Sequence, residues 1–164
     1  MLIQQWRGLE AIMTVITSLG HPIVTMGIGL LVVLFGGLKA NLRLVYAGFA
    51  VFATLGAGTI LKMILRRDRP LTEYVNNMMF TSFSFPSGHT VGSTVAYGLL
   101  AYLAWQFLPQ PWGIIAAVLL ALFIVLVGVS RVYLGAHFPS DVIAGWLFGL
   151  LGLAVIIFII KPVL

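Results

Sequence analysis

Apolar positions in this chain come in long runs separated by short polar stretches. Five runs stand out: Ile23–Leu38, Leu44–Leu61, Thr90–Leu108, Gly113–Val129 and Val142–Ile160. Each is roughly 16–19 residues, or about 24–29 Å as a helix, the short end of what crosses a bilayer core. Backbone polar groups in lipid must be satisfied internally, so each run is expected to be helical. Glycines recur inside them, among them Gly29, Gly36, Gly58, Gly145 and Gly149, and small residues let membrane helices approach closely. The expected fold is an all-α membrane protein, a compact transmembrane bundle of about five spans in a single domain, 1–164. The segment Met1–Gly20 differs: Ile3, Trp6, Leu9, Met13 and Ile16 share one helical face, while Gln4, Arg7, Thr14 and Ser18 share another. That pattern predicts an N-terminal amphipathic helix lying at the membrane interface. No basic segment precedes an apolar run there, so a cleaved leader is not expected.

Composition agrees. The chain is 61% hydrophobic and 8% charged, with a mean hydropathy of +1.12, values that exclude an ordinary soluble domain. It has no cysteine, which excludes disulfides and thiolate metal sites and leaves the redox compartment open. A formal charge of +5 would ordinarily point to nucleic acid or anionic headgroups. Here the ionisable residues gather in two stretches, Lys62–His89 and Arg131–Asp141, which favours a small phosphorylated ligand and no nucleic acid. A lipid-embedded protein retains such a cluster where it binds or transforms something charged. Two runs lie between these stretches, so both emerge on the same face and can converge. Lys39, Arg43 and Lys161 fall on the other face. Raw basic counts would make the site-bearing face cytoplasmic; with the site cations set aside, the other face is inside.

The first stretch reads Lys62-Met-Ile-Leu-Arg66-Arg67-Asp68-Arg69-Pro70. Helical spacing puts Lys62, Arg66 and Arg69 near one face, and Pro70 sends the chain into a loop. Guanidinium groups bind phosphate oxygens in pairs and lysine adds a point charge, although a headgroup anchor would use the same residues. Phe85-Pro86-Ser87-Gly88-His89 predicts a helix start whose free N–H groups attract anions, with His89 in the first turn as a proton donor. Ser93 and Tyr97 follow it at helical spacing as core hydrogen-bonding residues. In Ser130-Arg131-x5-His137-x3-Asp141 the histidine and acid are four apart at a helix start. A carboxylate on one imidazole nitrogen raises the basicity of the other, as a nucleophile or base requires. Alternatively, Asp141 only complements the helix dipole. His21, before Pro22, is expected to be structural. Two histidines, a carboxylate and at least three cations on one face form an inventory for metal-free phosphoryl transfer.

These residues closely resemble the type 2 phosphatidic acid phosphatase superfamily, whose signature is Lys-x6-Arg-Pro, Pro-Ser-Gly-His and Ser-Arg-x5-His-x3-Asp. Lys62 to Arg69-Pro70, Pro86 to His89, and Ser130-Arg131 to His137 to Asp141 match it at every position. The resemblance implies a lipid phosphatase with His137 as nucleophile, Asp141 orienting it and His89 as general acid. Lys62, Arg69 and Arg131, with Ser87 and the Gly88 amide, would bind the phosphoryl group. No cofactor, metal or obligate protein partner is implied. Arg66, Arg67 and Asp68 lie outside the signature and are expected to contact headgroups or support the site. Membrane members of the family usually have six spans, so the family's first helix is expected to be missing or trimmed. Soluble vanadium-dependent haloperoxidases share the signature, and the apolar runs exclude them.

The implied substrate is a lipid phosphate or diphosphate: undecaprenyl diphosphate, phosphatidylglycerophosphate, phosphatidate or diacylglycerol diphosphate. The expected location is a multi-pass cell membrane protein, a bacterial inner membrane one, with its site at the extracytoplasmic face. Three other readings use the same residues. A lipid phosphotransferase would hand the phosphoryl group to another lipid. An anion transporter would leave His137 and Asp141 without a role. A serine hydrolase built on Ser87 would leave the cations unexplained, and no Gly-x-Ser-x-Gly elbow is present.

Overall fold

The structure, a computed structural model, describes residues 7–78 and 82–160. Ile3, Gln4, Trp6 and Lys161 lie outside that range. Within it every regular element is a helix. A 3-10 turn (Arg7–Leu9) leads into α1 (Glu10–Leu19), followed by α2 (Pro22–Leu38), α3 (Leu42–Leu65), the short α4 (Glu73–Asn76), α5 (Gly88–Phe107), α6 (Trp112–Tyr133) and α7 (Pro139–Ile160). Each of the five expected runs falls on one of the long helices.

Among the described residues, four stretches are long and apolar enough to cross a membrane: Glu10–Leu38, Leu42–Leu65, Trp112–Tyr133 and Pro139–Ile160. The protein is a multi-pass membrane protein. The expected run Thr90–Leu108, now α5, is absent from that set for a physical reason. It is the centre of the bundle, packed by α2, α3, α6 and α7. Thr90, Val91, Gly92, Ser93, Thr94, Val95 and Ala96 are buried in succession around its circumference. A helix enclosed by protein on every side needs small packing residues more than lipophilic ones. The outer helices bury single stripes and leave Leu31, Ile64, Leu119, Leu151 and Phe158 exposed, as lipid-facing side chains are.

The N-terminal segment also has a defined partner. Of the expected apolar face, Met13 and Ile16 are partly buried beside the buried Thr17 and Gly20, and α1 packs on α6. The chain then turns through Gly20 and His21 into α2. Pro22 opens α2, and the His21 imidazole caps it by accepting the Ile23 N–H at 3.2 Å.

Close helix approach places the functional end. A Cβ on Gly145 or Gly149 would lie 2.8 or 2.6 Å from the Thr90 or Thr94 side chain. These glycines let α7 sit directly on α5, which sets the first turn of α7 beside the start of α5. The C-termini of α1, α3 and α6 and the N-termini of α2, α5 and α7 therefore share one end of the bundle.

The charged stretch after α3 departs from expectation. The helix stops at Leu65, and Arg66 takes a left-handed conformation with φ 47°. Arg66 therefore does not share a face with Lys62 and Arg69; it is exposed, and its Nε donates to the Met63 carbonyl at 3.1 Å. The site of a helix C-cap in this conformation favours glycine. Arg66→Gly is expected to hold or raise thermal stability in detergent, by up to about 1 kcal/mol. A clear fall in the unfolding midpoint would show that the Arg66 side chain matters more than its backbone.

Candidate active site

His137 and Asp141 meet at the start of α7. Asp141 has no exposed side-chain surface, and its Oδ2 lies 3.5 Å from His137 Nδ1. That oxygen also accepts the Phe138 N–H at 2.9 Å and the Ser84 hydroxyl. Ser84 Oγ is in turn 3.3 Å from His137 Nδ1. With acceptors gathered at Nδ1, the proton of a neutral imidazole belongs there and Nε2 keeps its lone pair. Nε2 faces the Arg69 guanidinium, 3.4 Å from Nη1.

The other Asp141 oxygen is held by Arg67, whose Nη1 donates at 2.8 Å to Oδ1 and at 2.7 Å to Ser140 Oγ. The Arg67 guanidinium also covers the Phe138 ring, 4.5 Å from its centroid. Asp141 thus serves His137 from one oxygen while an arginine fixes the other.

Two cations pin the loop that carries Ser84. Lys62, at the end of α3, donates to the Phe83 carbonyl at 2.8 Å. Arg69 donates from Nε to the Ser82 carbonyl at 2.6 Å and from Nη1 to the Ala136 carbonyl at 3.1 Å. Arg131 is almost wholly buried at 1% exposure. Its Nη1 donates to Thr17 Oγ1 on α1 at 2.7 Å, and its guanidinium lies 5.7 Å from the Tyr74 ring centroid. Arg131 acts electrostatically on Lys62, Arg69 and His137, which places it in the same cluster.

Ser87 is the N-cap residue of α5, as the Pro-Ser-Gly-His pattern predicts. Its N–H donates to the Asp141 carbonyl at 3.0 Å, joining the starts of α5 and α7. Its hydroxyl makes no capping bond. Ser87 Oγ, Thr90 Oγ1 and Arg131 Nε are buried without a hydrogen-bond partner among the described residues. Each such group costs about 1–3 kcal/mol when left unmet. A ligand with several acceptor oxygens would relieve the Ser87 and Arg131 groups. A Cβ on Gly88 would find only Pro22 Cγ, at 4.0 Å, so the α5 start is open to close approach. His89 follows; burial first, then Arg131, His21, His137 and Arg69, favour its neutral form.

Burial sets the charge state of His137. It pulls the imidazole down from 6.5 to about 4, helped by Arg69, Arg131 and Lys62 and opposed by the bond to Asp141. His137 is therefore a neutral base at physiological pH. Its ring proton NMR signals should titrate near pH 4; a midpoint at the ordinary value would mean that water reaches the ring. Burial and Arg131 also pull Arg69 down, which leaves it a cation throughout the accessible range.

All eight sequence-derived candidates, Lys62, Arg69, Ser87, Gly88, His89, Arg131, His137 and Asp141, lie at this end of the bundle. Spacing alone missed Ser84, Thr17 and the pairing of Arg67 with Asp141. Ser84 and Thr17 belong to no motif, and Arg67 was one basic residue among several. Ser93 and Tyr97 make local and core bonds as expected: Ser93 to the Thr90 carbonyl at 3.1 Å and Tyr97 to the Leu19 carbonyl at 2.8 Å.

A cavity of about 240 Å³ runs between α2, α3 and α5 toward this cluster. Lys62 and Gly88 lie at its polar end, and Met26, Phe52, Leu55 and Gly56 line its apolar wall.

Known proteins resemble this chain in sequence and fold. The PAP2 superfamily model matches residues 43–162. Phosphatidylglycerophosphatase B of Bacillus subtilis is 32% identical over 152 residues, covering 90% of this chain and 72% of that protein. Undecaprenyl-diphosphatase of Sulfolobus acidocaldarius is 32% identical over 152 residues, covering 88% and 68%. The crystal structure of a transmembrane PAP2-type phosphatidylglycerolphosphate phosphatase from Bacillus subtilis superposes with a TM-score of 0.73 at 30% identity, covering 96% of this chain and 79% of that one. The chain belongs to the PAP2 superfamily and is a phosphoric ester hydrolase.

Proposed function

We propose that this protein is a metal-independent lipid phosphatase that removes phosphate from an anionic lipid phosphate or diphosphate through a phosphohistidine on His137. The observation that carries the reading is the placement of the His137 ring: tied at Nδ1 to Asp141 and Ser84, with Nε2 turned to the Arg69 guanidinium where a phosphoryl group would sit.

In the first step Nε2 forms a bond to phosphorus while the bond to the leaving oxygen breaks, and His89, protonated once the anionic phosphate offsets the burial and cations that favour its neutral form, gives that oxygen a proton. Lys62, Arg69 and Arg131, with Ser87 Oγ and the Gly88 N–H, take up the charge on the equatorial oxygens. Asp141 stabilises the imidazolium character that develops on His137. In the second step water attacks phosphorus, gives its proton to the now neutral His89, and breaks the P–N bond to release phosphate. The cations meet the charge that a metal ion would otherwise neutralise.

The apolar cavity supports a lipid substrate, with the phosphate at its Lys62 end and the tail along α3. The names of the relatives favour phosphatidylglycerophosphate and undecaprenyl diphosphate within that class. With the site cations set aside, Lys39 and Arg43 at the opposite end of the bundle make that end cytoplasmic and the site extracytoplasmic, in a bacterial inner membrane.

The test is phosphate release in detergent with excess EDTA, across isoprenoid and glycerolipid phosphates, for the wild type and Gly56→Leu. A Cβ at Gly56 meets no atom within 4 Å, so the larger side chain can be accommodated and projects into open space. Turnover of long-chain lipid phosphates should survive EDTA and fall about tenfold or more in Gly56→Leu, while short-chain phosphates are spared. Loss of turnover with chelator would overturn the metal-free mechanism. Equal effects on long and short chains would remove the tail from the cavity.

A further inference from the structure

His21 belongs to no motif of the reaction, yet its ring is packed against His89. The centroids are 5.3 Å apart and the planes 87° apart, an edge-to-face contact. Such contacts place the positive edge of one ring on the negative face of another and prefer one orientation. Among the described residues, His89 stacks on no other aromatic ring.

The position of His21 is fixed from several sides. Pro22 restricts the backbone before it, and His21 sits at φ −59° and ψ 139°. Its Nδ1 is occupied by the Ile23 N–H, which settles the orientation of the ring. The residues before it are tied to α5 and α6: Tyr97 donates to the Leu19 carbonyl at 2.8 Å, and Arg131 donates to Thr17 at 2.7 Å. Gly20 packs where a Cβ would collide with Val127. The turn between α1 and α2 is thus clamped to the two helices that carry His89 and Arg131.

We infer that His21 is a positioning residue for His89: its ring holds the general acid in the orientation that delivers a proton to the leaving oxygen. The inference rests on the proposed role of His89. It makes the N-terminal turn a working part of the site, although every signature motif lies downstream of it.

Two substitutions separate this role from the helix cap that His21 also forms. His21→Asn keeps a side-chain acceptor for the Ile23 N–H and loses the ring. His21→Phe keeps a ring and loses the acceptor. Each is assayed on decyl phosphate, whose alkoxide leaving group needs a proton, and on p-nitrophenyl phosphate, whose leaving group does not. His89→Ala serves as the reference for loss of the acid.

For His21→Asn, kcat/KM, which reports the first step and not the hydrolysis of the intermediate, should fall about tenfold on decyl phosphate and stay within about twofold of wild type on p-nitrophenyl phosphate. His21→Phe should stay within about threefold of wild type on both. Equal losses on both substrates, a larger loss for Phe than for Asn, or no loss in either variant would each overturn the role of His21. If His89→Ala is itself insensitive to the leaving group, the assignment of His89 as the acid fails, and that result is separate from any behaviour of His21.

Discussion

Replacement of His137 by alanine should lower phosphate release by more than about a thousandfold, as loss of a covalent nucleophile does. The fold should survive. Without the ring, Arg69 keeps the Ser82 and Ala136 carbonyls, and Asp141 keeps Arg67, Ser84 and the Phe138 N–H. A monodisperse protein with a near-native unfolding midpoint and no turnover would separate chemistry from stability. Near-wild-type release would reject the nucleophile. Ser87→Ala is the contrast: a serine hydrolase would lose everything, whereas here one phosphate contact disappears and measurable turnover remains.

The second large effect is expected at Asp141. An amide of the same shape cannot meet the demands on this carboxylate, because three N–H or O–H donors converge on it from opposite sides. Oδ1 accepts from Arg67, and Oδ2 accepts from Ser84 and from the Phe138 N–H. In Asp141→Asn one of these sets must face an NH2 group, leaving buried donors opposed. The imidazole also loses the negative charge that stabilises its cationic form. A loss of about a thousandfold to ten-thousandfold in kcat is expected, with a lowered unfolding midpoint. A variant with more than about a tenth of wild-type kcat would show that Asp141 is mainly a helix-start acid.

Much of this molecule can be read from its sequence because the bilayer and the reaction each impose a strict pattern. Apolar runs of spanning length located the five long helices to within a few residues. The charged stretches at alternate run boundaries fixed which end of the bundle would hold the site. Residues at set spacings on one segment, such as His137 and Asp141 four apart, could be paired because helix geometry alone brings them together.

What escaped depends on contacts between distant segments. Thr17 meets Arg131 across 114 positions, and Arg67 meets Asp141 across 74. No periodicity encodes such pairs. The early stop of α3 at Leu65 was hidden because the sequence there carries no glycine, although Arg66 adopts the conformation that glycine favours. α5 misled in the other direction: its small polar residues lower its hydropathy because it packs on protein rather than lipid. The N-terminal segment reads as a surface helix by its amphipathic pattern, while its last turn reaches the site through Thr17.

The covalent intermediate is the central claim, and rapid acid-free quenching of the enzyme with a 32P-labelled lipid phosphate addresses it directly. Label should appear on the protein within the first turnover, withstand alkali, be lost in acid, and map by mass spectrometry to the His137 imidazole. Phosphate released at full rate without any labelled protein, or label carried by Ser87, would contradict it.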